Sequence, residues 1–268
     1  MKSKIIILHF VLLTFIGYQQ AEHKKGNVRN AQTEKVHSAQ TPDYLTNWVN
    51  AINHKNTNSI KNLYDTNAIK IIGADSILNN STQIANCYSS QKGKITSIES
   101  ILSIEANKER KINYELVNYK MDNLKEFTAI VIWRIDHERK IREFEFTEES
   151  TVEAKKIDTA KIAERRKLWV ELCNANNATN LVKQLYTDNT MYYNHKPIVK
   201  GTADLIKEYS YMNNKNYRLN LHPIKLKVVN PNFAFEVGRC SGSYNGKYML
   251  IWKKHTDGSW SIYIDSNI

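Results

Sequence analysis

Three side chains in the C-terminal part of the sequence have the types needed to move a proton or grip a ligand: Glu236, Asp265 and His195. Glu236 shares its strand parity with Ala234, Gly238 and Cys240, while Phe233, Phe235, Val237 and Arg239 share the other. If the small-residue face lines a cavity, Glu236 is a carboxylate enclosed in it, which makes it a functional candidate. The alternative is an edge-strand or dimer-facing Glu paired with Arg or Lys. Asp265 alternates with Tyr263 and suits either a polar pocket group or structural hydrogen bonds to backbone and Tyr hydroxyls. His195, beside Lys196 and Pro197, carries an imidazole that titrates near pH ~6.5 when unperturbed, and its other reading is an exposed loop histidine. Tyr186, Tyr193, Tyr209 and Tyr248 are core aromatics with a polar tip, a subset of which could hold a ligand hydroxyl or carboxylate. These residues, with Glu236 and Asp265, form the candidate ligand site.

Other chemistries find no support. The eight His are scattered with no HxH or HExxH spacing, and no CxxC occurs, so neither a metal site nor a cofactor is expected. Cys87, Cys173 and Cys240 fall on apolar faces; an odd number leaves at least one unpaired within the monomer, and Cys173 and Cys240 could meet between helix and sheet.

The elements that must position the candidates come in two copies. Trp48-Val49-Asn50, Leu63-Tyr64-Asp65, Tyr88, Ile132-Trp133 and Phe144 recur as Trp169-Val170-Glu171, Leu185-Tyr186-Thr187, Tyr209, Ile251-Trp252 and Tyr263, at offsets of 121, 122, 121, 119 and 119. So small a drift implies one fold of roughly a hundred residues laid down twice. Trp48, Trp133, Trp169 and Trp252 are landmarks of the repeat and are assigned to packing. Leu45, Trp48, Val49 and Ile52 form one helical stripe with Asp43 placed to cap it, and Trp169, Leu172 and Cys173 form its counterpart in a helix starting near Asp158. Two more short helices follow in each copy, and then the period changes to two. Strands are predicted over 95–105, 110–121, 126–136 and 140–147, and again over 217–230, 233–244, 247–255 and 260–265. Asp257-Gly258 predicts a hairpin closed by a type I′ turn. Helices followed by antiparallel strands give an α+β class, with helices gathered on one face of a bent sheet.

The 268 residues are 41% hydrophobic and 10% aromatic, enough for packed cores and too much for wholesale disorder. Met1-Lys2-Ser3-Lys4 followed by the apolar Ile5 to Gly17 reads as a secretory signal, since thirteen helical residues rise only about 20 Å. The expected organisation is a signal peptide over 1–21, a polar spacer over 22–41, a first domain over 42–148, a linker over 149–157 and a second domain over 158–268. Export to a periplasmic or extracellular location follows, with no stable membrane span after signal removal; an uncleaved signal-anchor is the alternative. The formal charge is +11, of which residues 151–268 carry +8. Its densest run, Lys155, Lys156, Lys161, Arg165, Arg166 and Lys167, reads as a solvated helix face, so no nucleic-acid partner is expected.

The second copy resembles the NTF2-like superfamily. The residues that carry the likeness are Trp169, Leu185-Tyr186-Thr187-Asp188, Pro197 to Gly201, Glu236-Val237-Gly238, Gly246-Lys247-Tyr248, Trp252-Lys253-Lys254, Asp257-Gly258-Ser259-Trp260 and Asp265. The SnoaL-like and DUF4440 branch looks most similar. The resemblance implies two tandem cone folds, each a strongly bent antiparallel sheet wrapped around helices with a pocket at its open end. It also implies where a catalytic base of the isomerase type would stand: at Asn194, which accepts no proton usefully, with His195 next to it. The matching stretch of the first copy, Ala68 to Gly73, has no acid or His, although Asp75 follows. The reading that results is an exported, non-catalytic module that binds a small hydrophobic or anionic ligand in its second domain. The alternative is a SnoaL-like isomerase, dehydratase or hydrolase using Glu236, His195 or Asp265 with Tyr donors. An intramolecular pseudo-dimer or a homodimer is the expected assembly.

Overall fold

The computed structural model describes residues 43–73, 76–194 and 197–268, and the proposed signal and spacer lie outside them. The first half opens with α1 (Asp43–Asn53), α2 (Thr57–Lys61), β1 (Tyr64–Ile72), β2 (Ser76–Leu78) and α3 (Ser81–Ser90). It continues with β3 (Ile95–Asn107), β4 (Ile112–Met121), β5 (Glu126–Asp136) and β6 (Arg139–Ser150). After a 3-10 turn at Val152–Lys156, the second half brings α4 (Ala160–Asn174), α5 (Ala178–Leu185), β7 (Tyr186–Tyr192), β8 (Val199–Lys200) and α6 (Thr202–Glu208). A 3-10 turn at Tyr209–Asn213 precedes β9 (Leu219–Asn230), β10 (Phe233–Gly242), β11 (Gly246–Lys254) and β12 (Trp260–Asn267).

The two six-stranded sheets have the same topology, β2-β1-β6-β5-β4-β3 and β8-β7-β12-β11-β10-β9. In each, the last strand lies parallel to the first and antiparallel to its predecessor. The class is α+β, two cone-like halves in tandem. The ladders correct one detail of the repeat. Ile132 faces Phe144 and Trp133 faces Arg142, just as Ile251 faces Ile264 and Trp252 faces Ile262, so each ladder skips one bulged residue. The equivalent of Phe144 is therefore Ile264 rather than Tyr263, and the offset along the last strand is 120. A bulge puts two neighbours where alternation allows one, which a count along the chain cannot register.

Three apolar layers result. The helical stripes meet the inner face of each sheet: Leu45, Trp48 and Ile52, with Tyr88 of α3, against Tyr64 and Trp133, and Ile162, Trp169 and Cys173 against Tyr186, Leu250 and Trp252. The opposite faces of the two sheets meet each other, bringing Tyr114, Leu116, Phe144 and Phe146 against Phe233, Phe235, Met249, Ile251 and Tyr263. The Phe146 ring lies 5.5 Å from both Phe233 and Phe235. At about 1.5–3 kcal/mol for each large side chain buried, this shared layer holds the halves together.

Two local expectations change. Asp43 lies inside the first turn of α1, where its carboxylate suits the positive end of the helix dipole. The Asp257-Gly258 hairpin forms, but only Gly258 has a positive φ (85°), so its turn is not type I′. Gly258 N donates to His255 O and His255 N to Ser259 O, a longer loop with the glycine alone in the left-handed region. All three cysteines are free thiols.

Candidate functional site

On the inner face of the second sheet, Glu236 pairs with Leu250 and Leu250 with Asp265, placing the two acids in one row on β10 and β12. The first sheet has the same row: Glu115, Val131 and Glu145. In this row each half thus carries two buried carboxylates two strands, or roughly 10 Å, apart. Both sequence candidates lie on that inner face, but they belong to separate clusters.

Glu236 is saturated by donors. Arg166 grips it with two parallel bonds, Nε to Oε1 at 2.6 Å and Nη2 to Oε2 at 2.7 Å, while Tyr248 Oη (2.7 Å) and Trp252 Nε1 (3.0 Å) complete the set. The carboxylate is interior and paired with Arg, combining features of both sequence readings. Arg166 corrects the solvated-face reading of the basic run: only 12% of its side chain is exposed. Ile162, Arg166, Trp169 and Cys173 stand at i, i+4, i+7 and i+11, so helical spacing puts the arginine on the apolar stripe. Truncating it to Met is expected to cost about 2 kcal/mol by leaving a buried charge without its bidentate partner. Urea denaturation checks this, and Arg166→Met combined with Glu236→Gln should recover part of the loss.

Asp265 is held differently. Tyr186 Oη and Tyr209 Oη donate to its Oδ2 at 2.6 and 2.5 Å, and Trp169 Nε1 donates to Tyr186 Oη at 2.9 Å. Among the described residues no salt-bridge cation faces it. Burial pushes its carboxyl up to about 6, against the lowering effect of the two phenols.

The equivalent acid of the first half has the same skeleton with charges added. Trp48 Nε1 donates to Tyr64 Oη (2.9 Å), Tyr64 Oη to Glu145 Oε2 (2.7 Å), and Tyr88 Oη also donates to Glu145. In addition Lys70 Nζ meets Oε1 at 2.5 Å and Arg142 Nη1 meets Oε2 at 2.6 Å. Arg142 lies over the Trp48 and Trp133 rings at 4.1 and 4.6 Å. Burial opposes ionisation of Glu145, but Lys70 and then Arg142 overcome it and hold the carboxyl well below its usual range. The positions of Lys70 and Arg142 are taken in the second half by Tyr192 and Ile262.

Near the Asp265 cluster, a pocket of about 430 Å³ opens among Asn194, Tyr211, Tyr217, Tyr244, Asn267 and, from the first half, Asn107 and Arg110, with Ile268 at its side. Tyr192 connects pocket and acid: its hydroxyl donates to Asn267 Oδ1 and its ring meets that of Tyr209 edge-on at 5.4 Å.

Of the residues singled out in the sequence, Asp265, Tyr186 and Tyr209 come together, and Glu236 and Tyr248 come together beside Arg166. Tyr193 lies apart, in the layer between the sheets, 5.4 Å from the Phe144 ring. His195 and Asp75 fall outside the described residues. The tryptophans assigned to packing are buried, and each also donates a hydrogen bond into an acid cluster. Lys70, Arg142, Glu145 and Arg110 were missed. The signal for Lys70 and Glu145 was charge on one parity of otherwise apolar strands, as in Phe144-Glu145-Phe146; Arg142 shares the parity of Phe144 and turns inward only through the bulge at Glu143. Among the described residues no group of three or more His, Cys, Asp or Glu is placed to hold a metal ion, and no helix is long and apolar enough to cross a membrane.

The chain matches no family model and no curated protein. Among solved structures it is similar to NTF2-like proteins. One is an NTF-2 like protein of unknown function from Shewanella oneidensis, 18% identical over 41% of this chain and 98% of that one, with a TM-score of 0.37. An NTF2-like protein from Cytophaga hutchinsonii is 14% identical over 40% of this chain and 93% of its own, at a TM-score of 0.33. A ketosteroid isomerase-like protein from Erwinia carotovora is 7% identical over 41% and 92%, at a TM-score of 0.34.

Proposed function

We propose that this protein is an exported small-molecule-binding module of the SnoaL-like kind, assembled as an intramolecular pseudo-dimer, with its ligand in the pocket of the second half. One observation carries the reading: the two halves share a buried Trp–Tyr–carboxylate–Tyr skeleton and differ in what balances the acid. In the first half Lys70 and Arg142 neutralise Glu145 and close the interior around an ion cluster. In the second half Tyr186 and Tyr209 donate to Asp265 with no salt-bridge cation among the described residues, and a pocket of about 430 Å³ lies near this cluster, linked to it through Tyr192. That volume lies within the ordinary range for ligand sites, about 300–1,000 Å³. The first half is then the scaffold copy and the second the binding copy. The signal over 1–21 and its cleavage are part of the proposal.

Calorimetry and thermal shift with a panel of small aromatic and aliphatic acids, amides and alcohols test the binding. Saturable one-to-one binding is expected, weakened at least tenfold by Tyr211→Ala and by Asn267→Leu. A panel without a single binder would refute the reading. An enzymatic second reading is favoured by the Asp265 carboxyl, pushed by burial up to about 6, where it can take up or release a proton near neutral pH while the Tyr209 hydroxyl stays a donor. Under it, Asp265→Asn abolishes turnover while ligand affinity survives.

A further inference from the structure

The pocket of the second half is not built by the second half alone. Asn107 and Arg110, at the end of β3 and in the turn before β4, reach it from the first half. The seam beside them is fixed. Tyr114 Oη on β4 lies 3.2 Å from Ser266 Oγ on β12 and accepts from Ile268 N at 3.1 Å. The turn is fixed as well. Arg110 N donates to Asn107 Oδ1 at 3.0 Å, Lys111 N to Lys108 O at 3.2 Å, and Lys111 takes a positive φ of 55° to close it. Arg110 is therefore carried to the mouth on a short constrained turn and keeps an exposed guanidinium there.

The remaining lining has one chemical character. Tyr211, Tyr217 and Tyr244 provide aromatic walls, Tyr211 and Tyr217 meeting edge-on with ring centroids 5.3 Å apart. Asn267 accepts from the Tyr192 hydroxyl at its Oδ1, which ties this lining residue to the interior. Among the described lining residues no side chain is a carboxylate. The half of the chain that supplies most of the wall carries +8, a field that draws anions in. A guanidinium presents its donors in a planar fork that matches a carboxylate.

We infer that the two halves jointly form a site for a small aromatic carboxylate, its ring among Tyr211, Tyr217 and Tyr244 and its carboxylate on Arg110 of the first half. This rests on the binding reading above and adds the ligand class and the need for both halves. The duplication then has a purpose beyond packing, since one copy supplies the anion contact of the other's pocket.

The test uses the full chain and matched probes, benzoate, phenylacetate and 4-hydroxyphenylacetate, each against its neutral amide, by calorimetry at low and high salt. The carboxylates are expected to bind at least tenfold more tightly than the amides, with the preference shrinking at high salt. Arg110→Gln should remove the preference without changing the melting temperature, and Arg110→Lys should restore part of it. Acids and amides binding alike, or an unchanged preference in Arg110→Gln, would overturn the inference while leaving the pocket a binding site. Failure of every acid and amide to bind would remove both.

Discussion

Glu145→Gln is expected to destabilise the protein by about 3–5 kcal/mol, because it leaves two buried cations facing a neutral amide. Lys70 Nζ and Arg142 Nη1 stand 2.5 and 2.6 Å from the carboxylate oxygens, and neither side chain exceeds 3% exposure. Water cannot take over the lost partner at that depth. Burial works to lower the Lys70 pKa and Glu145 works against it, so the variant should also release the Lys70 proton more readily. The sign of the pH dependence follows from the depressed carboxyl of Glu145. Its contribution is present above the pKa of an unfolded carboxyl and is lost as pH falls through its lower folded value. Urea unfolding should therefore show a wide gap between wild type and variant at neutral pH that narrows in strong acid. A gap under about 1 kcal/mol at pH 7 would mean that the cluster is not the closed ion network described here.

Asp265→Asn is expected to do the opposite, stabilising the protein at neutral and alkaline pH. The Asp265 carboxyl is raised by burial from 3.8 to about 6, so the folded chain holds its proton where the unfolded chain has lost it. Wild-type stability from this group is highest at and below the unfolded pKa, falls as pH rises from about 4 to about 6, and stays low above that. Two units of difference correspond to about 3 kcal/mol. An asparagine carries no charge and its oxygen still accepts from Tyr186 and Tyr209, so the variant should lack this decline. The difference in urea midpoints between variant and wild type, measured from pH 4 to pH 8, should grow in favour of the variant across that window. Parallel curves would show that Asp265 is balanced by a charge the structure does not place beside it.

The two predictions have opposite signs at equivalent positions. Both acids sit at the same row of the same ladder, and both accept from a Trp-anchored Tyr and a second Tyr. What differs is that Lys70 and Arg142 became Tyr192 and Ile262. A copy whose interior acid is neutralised gains rigidity. The copy whose acid has no cation among the described residues keeps a buried titratable group near a pocket, which is costly for stability and useful for a site.

The periodicities along the chain by themselves determined the helices, the last four strands of each copy and the α+β class, because a period of 3.6 or 2 is written in neighbouring residues. They also determined that Glu236 shares a face with Ala234 and Cys240, as alternation requires. The spacing of landmark residues determined the duplication. The strands β1, β2, β7 and β8 are not among the predicted ones, and Tyr64 and Tyr186, expected on helices, open β1 and β7. Only the tertiary structure decided what those faces meet. Arg166 reaches Glu236 across 70 positions and Lys70 reaches Glu145 across 75. The second apolar face of each sheet finds the other sheet, and Arg110 of one half closes a pocket in the other. Charge compensation inside a protein depends on distances of a few ångströms between strands and helices far apart in sequence, and no local pattern encodes them. The bulges at Glu143 and Tyr263 show the same limit on a smaller scale: one extra residue moved the true partner of Glu145 to Asp265, and only the hydrogen-bonded ladders record it.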